Sequence, residues 1–328
     1  MNYRSAGVDI AKNDRLVAKI KQMMGKHGDR LGHFGGAVPF PVGEYRDPLL
    51  VTSMDGVGTK TMVAVAMAKF DTIGHDLVHH SINDIACCGA EPLAFLDYYA
   101  AGRLDVDTAA RIISGIVEAC ERWGIALVGG ETAEMPGIYS EGGIDLVGSI
   151  VGVVERDEYV DGRGITPGDV IIGFPSNGLH TNGYSLARKI AATCDNGYLT
   201  ALPETGYTIG EALLKVHRCY LDEIRTLKRT VQVKGLAHIT GGGLPGNVAR
   251  ILPEGTRARF NWGNWREPPI FDFIRRRGGV SEPDMRATFN LGVGLAAVLS
   301  SEDAETVCNR FSKGLHRPFR IGEVTGKD

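Results

Sequence analysis

Six consecutive residues, Asp55-Gly56-Val57-Gly58-Thr59-Lys60, bring together groups suited to phosphate chemistry. Glycines let backbone N–H groups approach an anion, and the start of a helix favours negative charge. Lys60 offers a point charge. Asp55 would repel a bare phosphate, so its presence argues for a divalent cation between carboxylate and phosphate. The run is not a Walker A loop, because Thr59 separates Gly58 from Lys60, and Thr61 stands where a dinucleotide fingerprint has its third glycine. A tight strand-to-helix turn capped by Asp55 would use the same residues, so the hexapeptide alone leaves both readings open.

Further acidic positions extend the first reading. Asn83-Asp84 falls in a helix expected to begin near residue 76, as a polar pair among Ile82, Ile85 and Ala86. Glu131 follows Gly129-Gly130 and is expected at a strand end, where α/β sites usually lie. Asp55, Asp84 and Glu131 would supply three carboxylates for one or more hard cations such as Mg²⁺. A solvent-facing polar stripe and a surface turn are the competing accounts of Asp84 and Glu131. In the second half, residues 176–183 (SNGLHTNG) offer hydroxyls, amides and the imidazole of His180, with Thr181 and Asn182 beside it. Thr240-Gly241-Gly242-Gly243 is a second glycine loop, without a carboxylate, able to hold an anion directly. Residues 292–297 match G-x-G-x-x-A but read as a strand, and His79-His80 has no metal-ligand spacing. No H-E-x-x-H or G-x-S-x-G occurs, so Ser or Cys nucleophile chemistry has no support.

Positioning these groups requires strands that end at the loops and helices that leave them. Apolar runs predict strands at 49–53, 93–101, 125–128, 144–155, 170–174, 236–239, 293–299 and 319–324. Helical periodicity is clearest over 106–123, where apolar residues recur at 112, 113, 116, 117 and 120. Helices also fit 59–70, 76–88, 181–192, 207–215, 219–228, 244–251 and 302–313. The polar stretch 156–168 reads as a linker, dividing the chain into domains 1–165 and 166–328, both α/β or α+β with mixed sheets flanked by helices.

Composition narrows the function classes. Glycine accounts for 44 of 328 residues, roughly twice the usual share, without the period of collagen. Something here needs many permissive backbone positions. Net charge is −3, and the short basic clusters 228–229 and 275–277 read as solvated helix faces, so no nucleic-acid partner is expected. No apolar run approaches the length of a membrane span, and no apolar segment follows the first five residues as in a signal peptide. Six cysteines without a C-x-x-C pair predict a reducing cytoplasm and no structural disulfides.

The order and identity of the motifs are more specific than any one of them. Residues 6–10 (AGVDI), Lys21, a glycine-rich loop at 32–36, DGVGTK, IND and GAEPLAFLDYYA at 89–100 lead the series. GGETAEMPGIY at 129–139, GDVIIGFPSNGLHTNGYSLARK at 168–189, ITGGGLPGN at 239–247 and FNLGVG at 289–294 complete it. Together they resemble the aminoimidazole ribonucleotide (AIR) synthetase, or phosphoribosylformylglycinamidine cyclo-ligase, family of purine biosynthesis over nearly the whole chain. The resemblance implies two α/β domains, a homodimer whose N-terminal domains pair strands, and a site drawing on both chains. It implies use of ATP with Mg²⁺, possibly with K⁺ as well, to phosphorylate the formyl-amide oxygen of formylglycinamidine ribonucleotide before ring closure to AIR, ADP and phosphate. By resemblance, Asp84, His180 and Lys21 are catalytic. Asp55, Gly56, Gly58, Thr59, Lys60, Asn83 and Glu131 hold the nucleotide, with Asp55, Asp84 and Glu131 on the metal. Thr181, Asn182, Thr240, Gly241, Gly242 and Gly243 take the substrate. Related enzymes of the same scaffold fit less well: selenophosphate synthetase carries a reactive residue in its N-terminal glycine loop, and here no cysteine precedes Cys87.

Overall fold

Asp9 opens the first helix, Ile10–Met23 (α1), its carboxylate accepting from the Ala11 N–H at 3.2 Å. The computed structural model describes residues 9–25, 28, 34–311 and 316–326; the loop at 32–36 therefore lies only partly within the described residues. The chain forms two compact units, one comprising Met1–Ile85 and Glu91–Glu155, the other Ala86–Ala90 and Arg156–Asp328.

In the first unit, Pro48–Gly56 (β1) is followed by Lys60–Ala66 (α2) and Ile73–Ala86 (α3). Then come Glu91–Ala101 (β2), Val106–Trp123 (α4), Ala126–Glu134 (β3) and Ile144–Glu155 (β4). The strands order as β1-β4-β2-β3, with β2 and β3 parallel and the other pairs antiparallel. Helix α4 follows its periodicity: Asp105 caps it, Gly124 ends it in the left-handed conformation, and Ile112, Ile113, Ile116, Val117 and Cys120 are buried. Full burial of one such aliphatic side chain contributes about 1.5–3 kcal/mol. Cross-strand register separates the two faces of the sheet. Phe95 and Ile150 pair on the buried face, whereas Met54, Ser149 and Leu96 pair on the other. That second face is open: Leu50 and Met54 are 63% and 74% exposed, and Val147 and Val151 are half-buried.

The second unit holds Val170–Pro175 (β5), Tyr184–Ala191 (α5), Ile209–Leu213 (α6), Leu221–Thr230 (α7), Gly235–His238 (β6) and Gly243–Ala249 (α8). It continues through Thr256–Phe260 (β7), Pro269–Gly278 (α9), Glu282–Thr288 (α10), Val293–Leu299 (β8), Ser301–Arg310 (α11) and Phe319–Gly326 (β9). Its sheet is antiparallel in the order β6-β8-β5-β9-β7. All seven residues of β8 are buried, as a central strand covered on both faces requires; this strand confirms that residues 292–297 open no dinucleotide-binding helix. Among the described residues no helix is long and apolar enough to cross a membrane.

Several bounds differ from the sequence expectation. Strands β1 and β3 run on through Gly56 and Glu134, so Asp55 and Glu131 lie within strands and not beyond them. Helix α5 begins only after Gly183, whose φ of 79° breaks the helix that periodicity would start at residue 181. The largest change concerns Lys60. The lysine expected to offer its charge to phosphate is fully buried in an ion pair with Asp76, Nζ to Oδ2 2.8 Å, both side chains 0% exposed. Burial pushes the Lys60 pKa down and Asp76 pulls it back up. Removing one partner leaves a buried uncompensated charge, which typically costs about 3–5 kcal/mol. We expect Lys60→Met to lower unfolding free energy in urea by that order, and Lys60→Met with Asp76→Leu to recover much of it. Equal loss in both variants would mean that the pair's charges do not govern the effect.

Candidate functional site

Strand alternation places Ser53 and Asp55 on one face of β1, and helical periodicity places Asp76, His80 and Asp84 on one stripe of α3. These two rows meet. His80 Nε2 lies 2.9 Å from Asp55 Oδ2 and 3.6 Å from Asp84 Oδ2, and Ser53 Oγ donates to Asp84 Oδ2 at 3.1 Å. The structure thus brings Asp55 and Asp84 together through His80, whose place beside His79 in the sequence gives no metal-ligand spacing. Burial alone would lower the His80 pKa, but the Asp55 hydrogen bond and the Asp84, Asp55 and Asp76 charges raise it overall. The same hydrogen bond is the main cause of the lowered Asp55 pKa. Gly58 turns the chain at φ 65°, with Thr59 next to it, and accepts from the Thr61 hydroxyl at 3.0 Å. Asn83 is wholly buried.

Glu131 does not join this group within one chain. Asp55 pairs with Gly148, which pairs with Asp97, which pairs with Gly130; Glu131 is therefore three strands away. At strand spacing this is about 14 Å, and its register partner Tyr98 lies on the sheet face opposite Asp97. Within one chain the three carboxylates expected for one or more cations are thus a pair and a distant third. Lys21 stands exposed in the last turn of α1. Glu134, from the same motif as Glu131, takes a structural part: its carboxylate accepts from the Asp9 and Leu104 N–H groups, both at 2.9 Å, and pairs with Lys12 at 3.6 Å.

In the second unit the loops expected to take substrate converge. Ser176 Oγ donates to Asn290 Oδ1 at 2.8 Å, and Asn290 Nδ2 donates to the Gly178 carbonyl at 2.9 Å, so the FNLGVG segment pins the 176–178 turn. His180 sits at φ 63°, its carbonyl held by Tyr184 Oη at 2.9 Å. A Cβ at Gly183 would come within 2.2 Å of Phe289, and one at Gly294 within 1.9 Å of Tyr220 Oη, so both positions need glycine. The Asn247 amide donates to the carbonyls of Gly243, Gly241 and Thr240 at 2.8, 3.2 and 3.3 Å. Because a trans peptide points its N–H opposite its C=O, this turns the Gly241 and Gly242 N–H groups away from Asn247, the arrangement of an anion cradle. A Cβ on Gly241 would lie 3.4 Å from Asn182 Oδ1, which places this loop beside Thr181 and Asn182.

Asp97 is the residue that sequence reading missed. It is a lone carboxylate in an otherwise apolar and aromatic strand segment, and that contrast was the available signal. It lines a cavity of about 630 Å³ with Asn13, Gly129, Gly130, Glu131 and Thr132. Burial pushes its carboxyl up to about 7 from 3.8. A folded-state value above the unfolded one means that stability falls as pH rises from 3.8 to 7. Asp97→Asn should therefore melt higher than wild type above pH 7, with the gap closing towards pH 4. A gap independent of pH would show that the carboxyl is not held in this range.

Residues 44–154 match the model for the AIR synthase related protein N-terminal domain, and residues 166–328 that for the C-terminal domain. A Myxococcus xanthus protein named phosphoribosylformylglycinamidine cyclo-ligase is 48% identical over 98% of this chain and 95% of the relative. A protein of the same name from Alkaliphilus oremlandii is 44% identical over 99% and 97%. Among solved structures, the hydrogenase maturation protein HypE in complex with ATP shares the fold at a TM-score of 0.69 and 18% identity, over 96% of this chain and 86% of that one. Both of the chain's domains are accounted for, in order and almost in full, and the chain belongs to the AIR synthase related family.

Proposed function

We infer that this chain catalyses ATP-dependent closure of formylglycinamidine ribonucleotide to 5-aminoimidazole ribonucleotide, with release of ADP and phosphate. The observation that carries this reading is similarity of 44–48% over nearly the full length to relatives named for that reaction. The chemistry suits the residues. An amide oxygen is a poor leaving group; phosphorylation makes it a good one, and the protein's task is then positioning and neutralising charge.

Asp55 and Asp84 supply the oxygen donors that a hard cation requires, and the raised basicity of His80 between them records their shared negative potential. They would hold Mg²⁺, which when bound neutralises nucleotide phosphate charge. Gly56, Gly58, Thr59 and Asn83 line the same turn and helix. Lys60 serves by clamping that turn to α3, and Lys21 reaches from α1. Thr181, Asn182 and the 240–243 loop hold the ribose phosphate, and His180 faces the reacting amide. Six free cysteines suit a reducing cytoplasm.

A second copy completes the site in this reading. The open sheet face carries exposed Leu50 and Met54, and a homodimer formed through it would cover them and carry Glu131 of one chain towards Asp55 and Asp84 of the other. Asp84→Asn and Glu131→Gln should each abolish AIR formation with the fold intact. Mixed after co-expression, they should regain about a quarter of wild-type activity, because half the dimers are mixed and each of those keeps one complete site. Absence of any recovery would place all the carboxylates of one site in one chain.

A further inference from the structure

Beside the proposed substrate loop, three histidines are almost wholly buried: His180, His217 and His238, at 1%, 0% and 6% exposure. His180 and His217 stack with ring centroids 4.1 Å apart. His217 Nδ1 lies 3.3 Å from Thr181 Oγ1, and its Nε2 lies 3.0 Å from His238 Nε2. A neutral imidazole carries one N–H and one acceptor nitrogen, so these contacts have linked polarity. Asn182 Nδ2 donates to one lone pair of Thr181 Oγ1 at 3.4 Å, and the hydroxyl keeps a proton that it can give. Of the two linked polarities, one has Thr181 Oγ1–H donating to His217 Nδ1, His217 Nε2–H donating to His238 Nε2, and His238 carrying its proton on Nδ1.

We propose that Thr181, His217 and His238 form a relay that removes the proton lost when the ring closes. This rests on the reading that Thr181 faces the sugar-phosphate substrate. As the attacking nitrogen forms its bond to carbon, it gives its proton to Thr181 Oγ1. The Thr181 proton passes to His217 Nδ1, the His217 Nε2 proton to His238 Nε2, and the His238 Nδ1 proton to solvent water. One proton enters and one leaves, and both rings end neutral with their tautomers reversed. His217 and His238 act through Thr181 and touch no reacting atom; the relay needs a group that can accept at one end while releasing at the other, which an imidazole does and an amide does not.

His217→Gln separates relaying from positioning. Glutamine can accept from Thr181 and donate to His238, but it cannot pass a proton through. The expected result is a KM for formylglycinamidine ribonucleotide within about twofold of wild type and single-turnover AIR formation slowed at least about tenfold. In wild-type protein labelled with ¹⁵N-histidine, NMR should show His217 protonated at Nε2 and His238 at Nδ1, a measurement that holds even if the variant fails to fold. A wild-type rate in His217→Gln, or the opposite tautomers in the resting protein, would overturn the relay alone. One Zn²⁺ bound per wild-type chain and lost in His217→Gln would overturn it in favour of a three-histidine metal site. A wild-type chain that forms no AIR would remove the functional reading and the relay together.

Discussion

The ion pair between Lys60 and Asp76 is the constraint on which the first unit's site depends. Lys60 begins α2 directly after the Asp55–Thr59 turn, and Asp76 lies in the first turn of α3. Their buried contact fixes that turn against the helix. One stripe of α3, at i, i+4 and i+8, then presents Asp76 to Lys60, His80 to Asp55, and Asp84 to Ser53 and His80. A pair of this kind contributes more to uniqueness of arrangement than to net stability, because desolvation offsets much of the attraction. Its value here is to set which residues of α3 face β1.

The second constraint is strand order. With β1 and β3 at opposite edges of one sheet, the carboxylates of the DGVGTK and GGETAEMPG motifs stand apart within a chain. The open face between those edges carries apolar side chains that a monomer would leave to water. The proposed function answers both the separated carboxylates and the uncovered face with a second copy of the chain. The Asp97 carboxyl, raised to about 7 in the cavity that Glu131 also lines, gives β2, the strand beside that edge, a titratable group of its own.

Much of this was legible in the sequence. Helix α4, strand β4 and strand β8 follow periodicity and apolar runs, and the motif order pointed to the family. The misses have physical causes. Alternation in β1 is apolar on the exposed face, so only its centre reads as a strand, and Asp55 was assigned to a loop. Strand β7, Thr-Arg-Ala-Arg-Phe, is an edge strand with Arg257 and Arg259 in water, which offers no apolar run. His79-His80 is uninformative as a spacing, because His80 gains its role from β1 across the fold. Lys60 looked like a phosphate ligand since sequence shows charge but not the buried Asp76 that meets it. Part of the glycine excess is close approach: Gly183 against Phe289 and Gly294 against Tyr220 are dictated by packing around His180.

The central claim is that the formyl-amide oxygen is activated by phosphorylation and leaves with the phosphate. Formylglycinamidine ribonucleotide labelled with ¹⁸O at that oxygen, turned over with unlabelled ATP, tests it directly by mass analysis of the inorganic phosphate. The account predicts one ¹⁸O in phosphate for each AIR formed. Unlabelled phosphate, with the ¹⁸O released to water, would contradict it.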